Sequence, residues 1–187
     1  MKTKTTELLT ISSDNIDSFF SSQSTENQIS TLQKALNELE QLETANLENT
    51  QAYCMMIWST IELLSRFHSG QLGNQQATKR LKLFLRACFP HKRQHSSTLI
   101  LFRNACMHSV SLHASDISGK REVRFILVEE GELIIAETRS TFKINTHQFK
   151  TNLMRSIEKY QQEIVKDNTL QLKFDKVYRK LGFVAIN

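Results

Sequence analysis

Pro90 is the only proline among 187 residues, and five glycines are the only other strong backbone breakers. Punctuation this sparse leaves long uninterrupted segments, which favours helices over a many-turned β-sandwich. From Thr25 onward, Ile29, Leu32, Leu36, Leu39 and Leu42 recur every three or four residues, laying a leucine stripe along one helix face. The stripe lasts about two heptads, too short for a coiled-coil seam, so core packing is its expected use. A second helix is expected from a cap at Asn49 or Thr50, carrying Tyr53, Met56, Ile57, Leu63, Leu64 and Phe67 and ending before Ser69-Gly70. Apolar nearly all round at its middle, it should form the centre of a bundle. A third runs from about Gln75 to Phe89 with Leu81, Phe84, Leu85 and Cys88 inward, until Pro90 stops it. The fourth is expected from around Ser96 to about His113.

After Gly119 the period changes. Glu122 to Glu129 and Glu132 to Thr138 are rich in β-branched residues and flank Glu130-Gly131, which reads as a hairpin over about 121–144, with Thr141 to Ile144 as a third strand. Thr146 is the expected cap of the last long helix, where Phe149, Leu153, Ile157, Tyr160 and Ile164 follow at steps of three and four. The tail from Asp167 should dock as a short helix or extended arm. The first 25 or so residues, rich in Ser, Thr, Asp and Asn, should be partly flexible, with one short helix around Ile16, Phe19 and Phe20.

The length suits one domain, 1–187, and the composition, 40% hydrophobic and 23% charged, is that of a globular protein. No apolar run approaches the ~18 residues of a membrane span, and the N-terminus lacks the apolar core of a secretory signal, so a cytoplasmic protein without membrane partners is expected. Cys54, Cys88 and Cys106 fit neither a disulfide framework nor a zinc ribbon and read as small buried hydrophobes. Charge is distributed unevenly. Residues 1–48 hold three basic residues against eight acidic ones, a balance of −5, whereas Leu63 to Ser115 contains no carboxylate and carries Arg66, Lys79, Arg80, Lys82, Arg86, Lys92, Arg93 and Arg103. A one-sign block of this length attracts polyanions such as RNA, with Lys79, Arg80, Lys82, Arg86, Lys92 and Arg93 as candidate contacts. The structural alternative is a solvated basic face balanced by the acidic N-terminal helix of the same fold.

Within the fourth helix, Arg103, Asn104 and His108 are polar where Leu99 to Phe102 and Ala105 to Met107 imply burial. Buried polar groups need partners. On ideal helix geometry Asn104 and His108 are about 40° apart round the axis and Arg103 is about 140° from His108, so Asn104 should steady the imidazole while Arg103 points elsewhere or to another chain. An imidazole titrating near neutrality suits a general base for a ribose 2′-hydroxyl, and a guanidinium suits charge developing on a phosphate. Cleavage by that route gives a 2′,3′-cyclic phosphate and a 5′-hydroxyl.

Arg103-Asn104 followed by His108 after four intervening residues resembles the motif of the HEPN superfamily, whose pattern is Arg, four to six residues, then His, often with a polar residue directly after the Arg. The helix-loop-helix from Phe67 to Pro90 is also similar to that of HEPN-like proteins. The resemblance implies a mainly α, HEPN-like bundle, here with the hairpin inserted before the last long helix. It further implies a homodimer in which two motifs face each other, and metal-independent endoribonuclease activity without a cofactor. Arg103 and His108 would be the active residues and Asn104 their support, in a defence or toxin–antitoxin setting with an antitoxin or other protein partner. Toxins of this superfamily paired with nucleotidyltransferase antitoxins often carry Tyr two residues after the His. Here that position is Val110, a departure from that form of control. The alternatives are a non-catalytic HEPN-like binding or interaction module, or a plain structural or regulatory helical protein.

Weaker patterns remain. His91 and His95 are four apart but have no nearby carboxylate, and the surrounding positive charge opposes a metal ion. Gly70-x-x-Gly73 lacks the strand and Lys of a phosphate loop and reads as a turn. In the tail, Phe174 and Tyr178 with Lys173, Lys176 and Arg179 could stack on bases or pack as a helix.

Overall fold

The computed structural model describes residues 13–21, 28–116, 119 and 122–185. Helix α1 is Ser13–Phe20, strand β1 is Gln28–Ser30 and α2 is Thr31–Thr44. The leucine-stripe helix therefore begins later than its periodicity indicates. Ile29 lies in β1, and the extended Ser30 caps α2 by accepting from the Gln33 amide at 3.0 Å. Of the N-terminal segment expected to be partly flexible, residues 1–12 and 22–27 lie outside the described residues, as does Arg121 at the edge of the expected hairpin.

Helix α3, Gln51–Ser69, has the caps its sequence carries. Thr50 accepts from the Tyr53 amide, and Gly70 turns left-handed at φ 71°. A side chain at Gly70 would also collide with Lys173, whose Cγ lies 3.0 Å from an ideal Cβ position. Tyr53, Cys54, Ile57, Trp58, Ile61, Leu64 and Phe67 are all buried, because α2, α4 (Ala77–Ala87), α5 (Ser96–His108), α6 (Thr146–Lys166) and α7 (Asn168–Leu181) all pack against α3. Two aromatic clusters hold this arrangement. Phe19, Phe67 and Phe174 join α1, α3 and α7 with centroids 4.4–5.3 Å apart. Trp58, Phe102 and Phe149 join α3, α5 and α6 at 5.1–6.2 Å.

The sheet corrects the hairpin. Strands β2 (His113–Ser115), β3 (Glu122–Val128), β4 (Ile134–Ala136) and β5 (Thr141–Asn145) lie in the order β2-β3-β5-β4. The chain does reverse at Glu130-Gly131, but β5 occupies the slot between the two strands, parallel to β3 with Phe125 opposite Phe142 and antiparallel to β4 with Ile134 opposite Ile144. Asn145 holds the slot open by donating its side-chain amide to Gly131 O at 2.8 Å and its backbone amide to Leu133 O. The same Asn145, one residue before the expected Thr146, caps α6 by accepting from Gln148.

Two further expectations change. Helix α5 ends at His108 rather than near His113, since residues 113–115 pair with β3 as β2. The tail becomes the full helix α7, capped by Asp167, followed by β6 (Phe183–Ala185), which pairs with β1. Phe174 and Tyr178 are buried on α7, so they cannot stack on bases. Among the described residues no helix is long and apolar enough to cross a membrane, and Cys54, Cys88 and Cys106 are free and buried.

Glu43 ties three helices together. Tyr53 Oη donates to Oε1 at 2.5 Å and Lys150 Nζ reaches both carboxylate oxygens. Burial raises the carboxyl's pKa, but the bonds from Lys150 and Tyr53 outweigh it and leave Glu43 below its ordinary value of 4.5. A depressed carboxylate contributes stability above its unfolded pKa and loses it as pH falls through the folded value. Glu43→Gln should therefore cost about 1–2 kcal/mol at pH 7 in chemical denaturation, and the difference from wild type should shrink below about pH 4.5.

Candidate functional site

Helix α5 presents the motif because its opposite side is fixed. Leu99, Ile100, Phe102, Ala105 and Cys106 are buried, with Phe102 held against Trp58, Phe149 and Phe125. The same packing turns Arg103, Asn104 and His108 outward. The helix stops without glycine or proline: Gln51 Nε2, from the first turn of α3, donates to Cys106 O and Ser109 O at 2.8 Å each. These bonds satisfy carbonyls that the helix end leaves open. His108 is accordingly the last helical residue and is exposed. The expected buried trio is thus a half-buried Arg103 and Asn104 beside an exposed His108.

Arg103 is the hub of the cluster. Its Nε and Nη2 both reach Glu62 Oε1 of α3, at 2.6 and 2.5 Å, with each side chain about one-fifth exposed. Its Nη1 lies 3.3 Å from Asn104 Oδ1 and 3.3 Å from His108 Nε2. A guanidinium can only donate, so Nε2 is the accepting nitrogen and its lone pair faces the cation. Both 3.3 Å contacts are long, so incoming phosphate oxygens could replace them. The ideal-helix angle of about 140° had sent Arg103 away from His108. The long side chain bends back instead, anchored by a carboxylate 41 residues earlier that no local motif reveals.

Asn104 also connects the cluster to a cleft of about 570 Å³, lined by Lys82, Ser97, Ile100, Leu101, Asn104, Ser115 and Asp116, whose carboxylate is the one acidic group of the lining. Five of the six candidate polyanion contacts, Lys79, Lys82, Arg86, Lys92 and Arg93, are exposed. Arg80 is not: it is 3% exposed and donates to Ser65 Oγ and Gly73 O, bracing the loop before α4. Arg80 is therefore an interior brace and no part of the basic surface. Lys92 is exposed but engaged with Glu132 at 2.6 Å. Both ring nitrogens of His91 are occupied, Nδ1 by Phe89 O and Nε2 by Ser96 Oγ, each at 2.8 Å.

Removing the hidden carboxylate tests the cluster. Glu62→Ala strips two charge-assisted bonds from the half-buried Arg103 and should cost about 1–3 kcal/mol, whereas Glu132→Ala, which breaks an exposed pair, should cost under about 0.5 kcal/mol in the same urea titration. No family model matches this chain, and no curated protein or solved structure shows significant similarity to it.

Proposed function

We propose that the chain is a HEPN-like endoribonuclease of the cytoplasm, metal-independent and homodimeric, with Arg103 and His108 as its active residues and Asn104 as their support. The observation that carries this reading is the meeting of Arg103 Nη1 with both Asn104 and His108 on an exposed helix end, with Glu62 fixing the other side of the guanidinium. Three side chains that the sequence brings near one another are aimed at one point that solvent can reach.

The chemistry follows from the atoms. A phosphodiester entering between the two side chains takes the Nη1 protons, releasing His108 Nε2 to accept the 2′-hydroxyl proton. The oxygen then attacks the adjacent phosphorus, and the bond to the 5′-oxygen breaks. Arg103 stabilises the added negative charge while Glu62 holds it in place, which limits reorganisation during the reaction. In a dimer with facing motifs, the partner's His108 enters the step as the imidazolium and donates a proton to the leaving 5′-oxygen, so the two imidazoles exchange protonation states over one cleavage. By helix spacing, the partly buried Met55, Met56 and Leu63 flank Glu62 along α3 and Met107 lies one turn from Arg103 on α5, an apolar border, and Val110, just beyond the helix end, is 98% exposed. Such a border is suited to a second copy of the chain. One observation favours the non-catalytic alternative: the cleft beside Asn104 has an apolar floor, Ile100 and Leu101, of the kind that holds a small ligand.

On single-stranded RNA, His108→Ala and Arg103→Ala should each lower cleavage about 100-fold or more, and Asn104→Ala less, with products ending in 2′,3′-cyclic phosphate and no effect of chelator. Because His108 is exposed, its truncation should leave Tm within about 2 °C of wild type, which separates loss of chemistry from loss of fold. A wild-type protein that cuts no RNA would decide for the binding module. Light scattering should give twice the 21.6 kDa chain mass, and a monomer at all concentrations would remove the shared site.

A further inference from the structure

A second pocket of about 540 Å³ lies at the other end of α5, between the end of α4 and the 3-10 turn Arg93–His95, lined by Arg86, Phe89, His91, Arg93 and Ser96. Its chemistry is one-signed. Arg86 and Arg93 are exposed, and neither side chain has a hydrogen-bond or ion-pair partner among the described residues. No carboxylate lines the pocket. The neighbouring Lys92, by contrast, is already matched to Glu132. Two guanidinium groups facing one hollow without a counter-charge repel each other, and an anion between them relieves the repulsion.

The wall between them is rigid. The Phe89 O and Ser96 Oγ contacts fix the His91 ring, and Ser96 Oγ in turn donates to Arg93 O at 2.9 Å, locking the turn that carries Arg93. The arginines are therefore presented from a fixed frame, which reduces the ordering that binding requires. Paired guanidinium forks match the several oxygens of a phosphate group better than a single carboxylate.

We infer that this pocket holds a phosphate of an RNA strand several nucleotides away from the Arg103–His108 cluster. The inference rests on the ribonuclease reading for the identity of the strand. Twelve residues of α5 separate Ser96 from His108, about 18 Å at 1.5 Å per residue. Along that length Ser97 and Asn104 of α5, with Lys82 of α4, border the intervening cleft, which Asp116 also lines. The pocket sets a minimum substrate length and a direction for the strand, and takes no part in the bond-breaking step.

The test uses the full chain, a 2′-O-methyl single-stranded oligonucleotide that cannot be cleaved, and inorganic phosphate. Three proteins are compared: wild type, Arg86→Gln/Arg93→Gln, and the control Lys176→Gln/Lys180→Gln, which removes the same charge from exposed positions on α7. The arginine double variant should bind the long oligonucleotide at least tenfold more weakly, with a salt dependence flatter by about one unit of slope, and should lose the perturbation that phosphate causes at the Ser96 and Ser97 amides. The control should behave as wild type, and shortening the oligonucleotide to two nucleotides should abolish the difference between the three. Equal losses in both double variants, an unperturbed Ser96 amide in wild type, or stronger competition by an acidic peptide than by the oligonucleotide would each overturn the inference. Cleavage with unchanged KM in the arginine variant removes this site and leaves the proposed function standing. Oligonucleotide binding through the pocket without cleavage by wild type does the reverse.

Discussion

The burial of α3 is the constraint on which the rest of the molecule depends. A helix apolar nearly all round has to be covered on every side, and five other helices do so. The covering fixes α5 in particular, because Phe102 can reach Trp58 and Phe149 in only one rotation of its helix. Once that rotation is set, Arg103 must emerge beside Glu62 and His108 must emerge at the end. The electrostatic cluster is thus a consequence of aromatic packing on the other side of the same helix. Its strength comes from fixed positions more than from charge, since the partly exposed pair at Glu62 is screened by water and is worth only a modest amount on its own.

Features determined within a few residues were legible in the sequence. The Thr50 cap, the Gly70 terminus and the apolar spacing of α6 are local signals, and the structure follows them closely. Features determined by distant partners were not. Helix α5 ends where Gln51, 55 residues earlier, caps its last carbonyls, so nothing near His108 announces the stop. The strand order was hidden for a similar reason. Glu130-Gly131 signals a reversal of direction, but only Asn145 and the apolar side chains of β5 decide that a third strand fills the gap. In the candidate site, residue types and spacing pointed to Arg103, Asn104 and His108, while rigid helix geometry misdirected the long Arg103 side chain and gave no hint of Glu62. Arg80 was misread because a run of basic residues looks uniformly exposed, whereas this one falls on the inner face of α4.

The uneven charge has a structural counterpart. Glu38 and Glu43 of α2 pair with Lys34 on their own helix and with Lys150 on α6, away from the basic stretch. Within that stretch Glu62 pairs with Arg103 and Glu132 with Lys92, Glu163 accepts from Cys88, and Asp116 lines the cleft beside Lys82. Lys79, Lys82, Arg86 and Arg93 keep their exposure, so these cations of the basic block remain at the surface while Arg80 does not.

The pairing of β1 with β6 bears on how the molecule assembles. Thr31 bonds to Gly182 O through its amide and to Leu181 O through its hydroxyl, joining positions 150 residues apart. The entropy of closing so long a loop grows only with the logarithm of its length, so the seam adds little thermodynamic burden. Kinetically it is a burden, because pairings of high sequence separation slow folding. Residues 28–31 have no partner strand until α7 has docked, and Phe19, wedged among Phe67, Phe174 and Tyr178, has no socket until the same moment. Helix α1 is therefore a latch over the α3–α7 side of a bundle whose α3–α5 contact sets the geometry of Arg103 and His108.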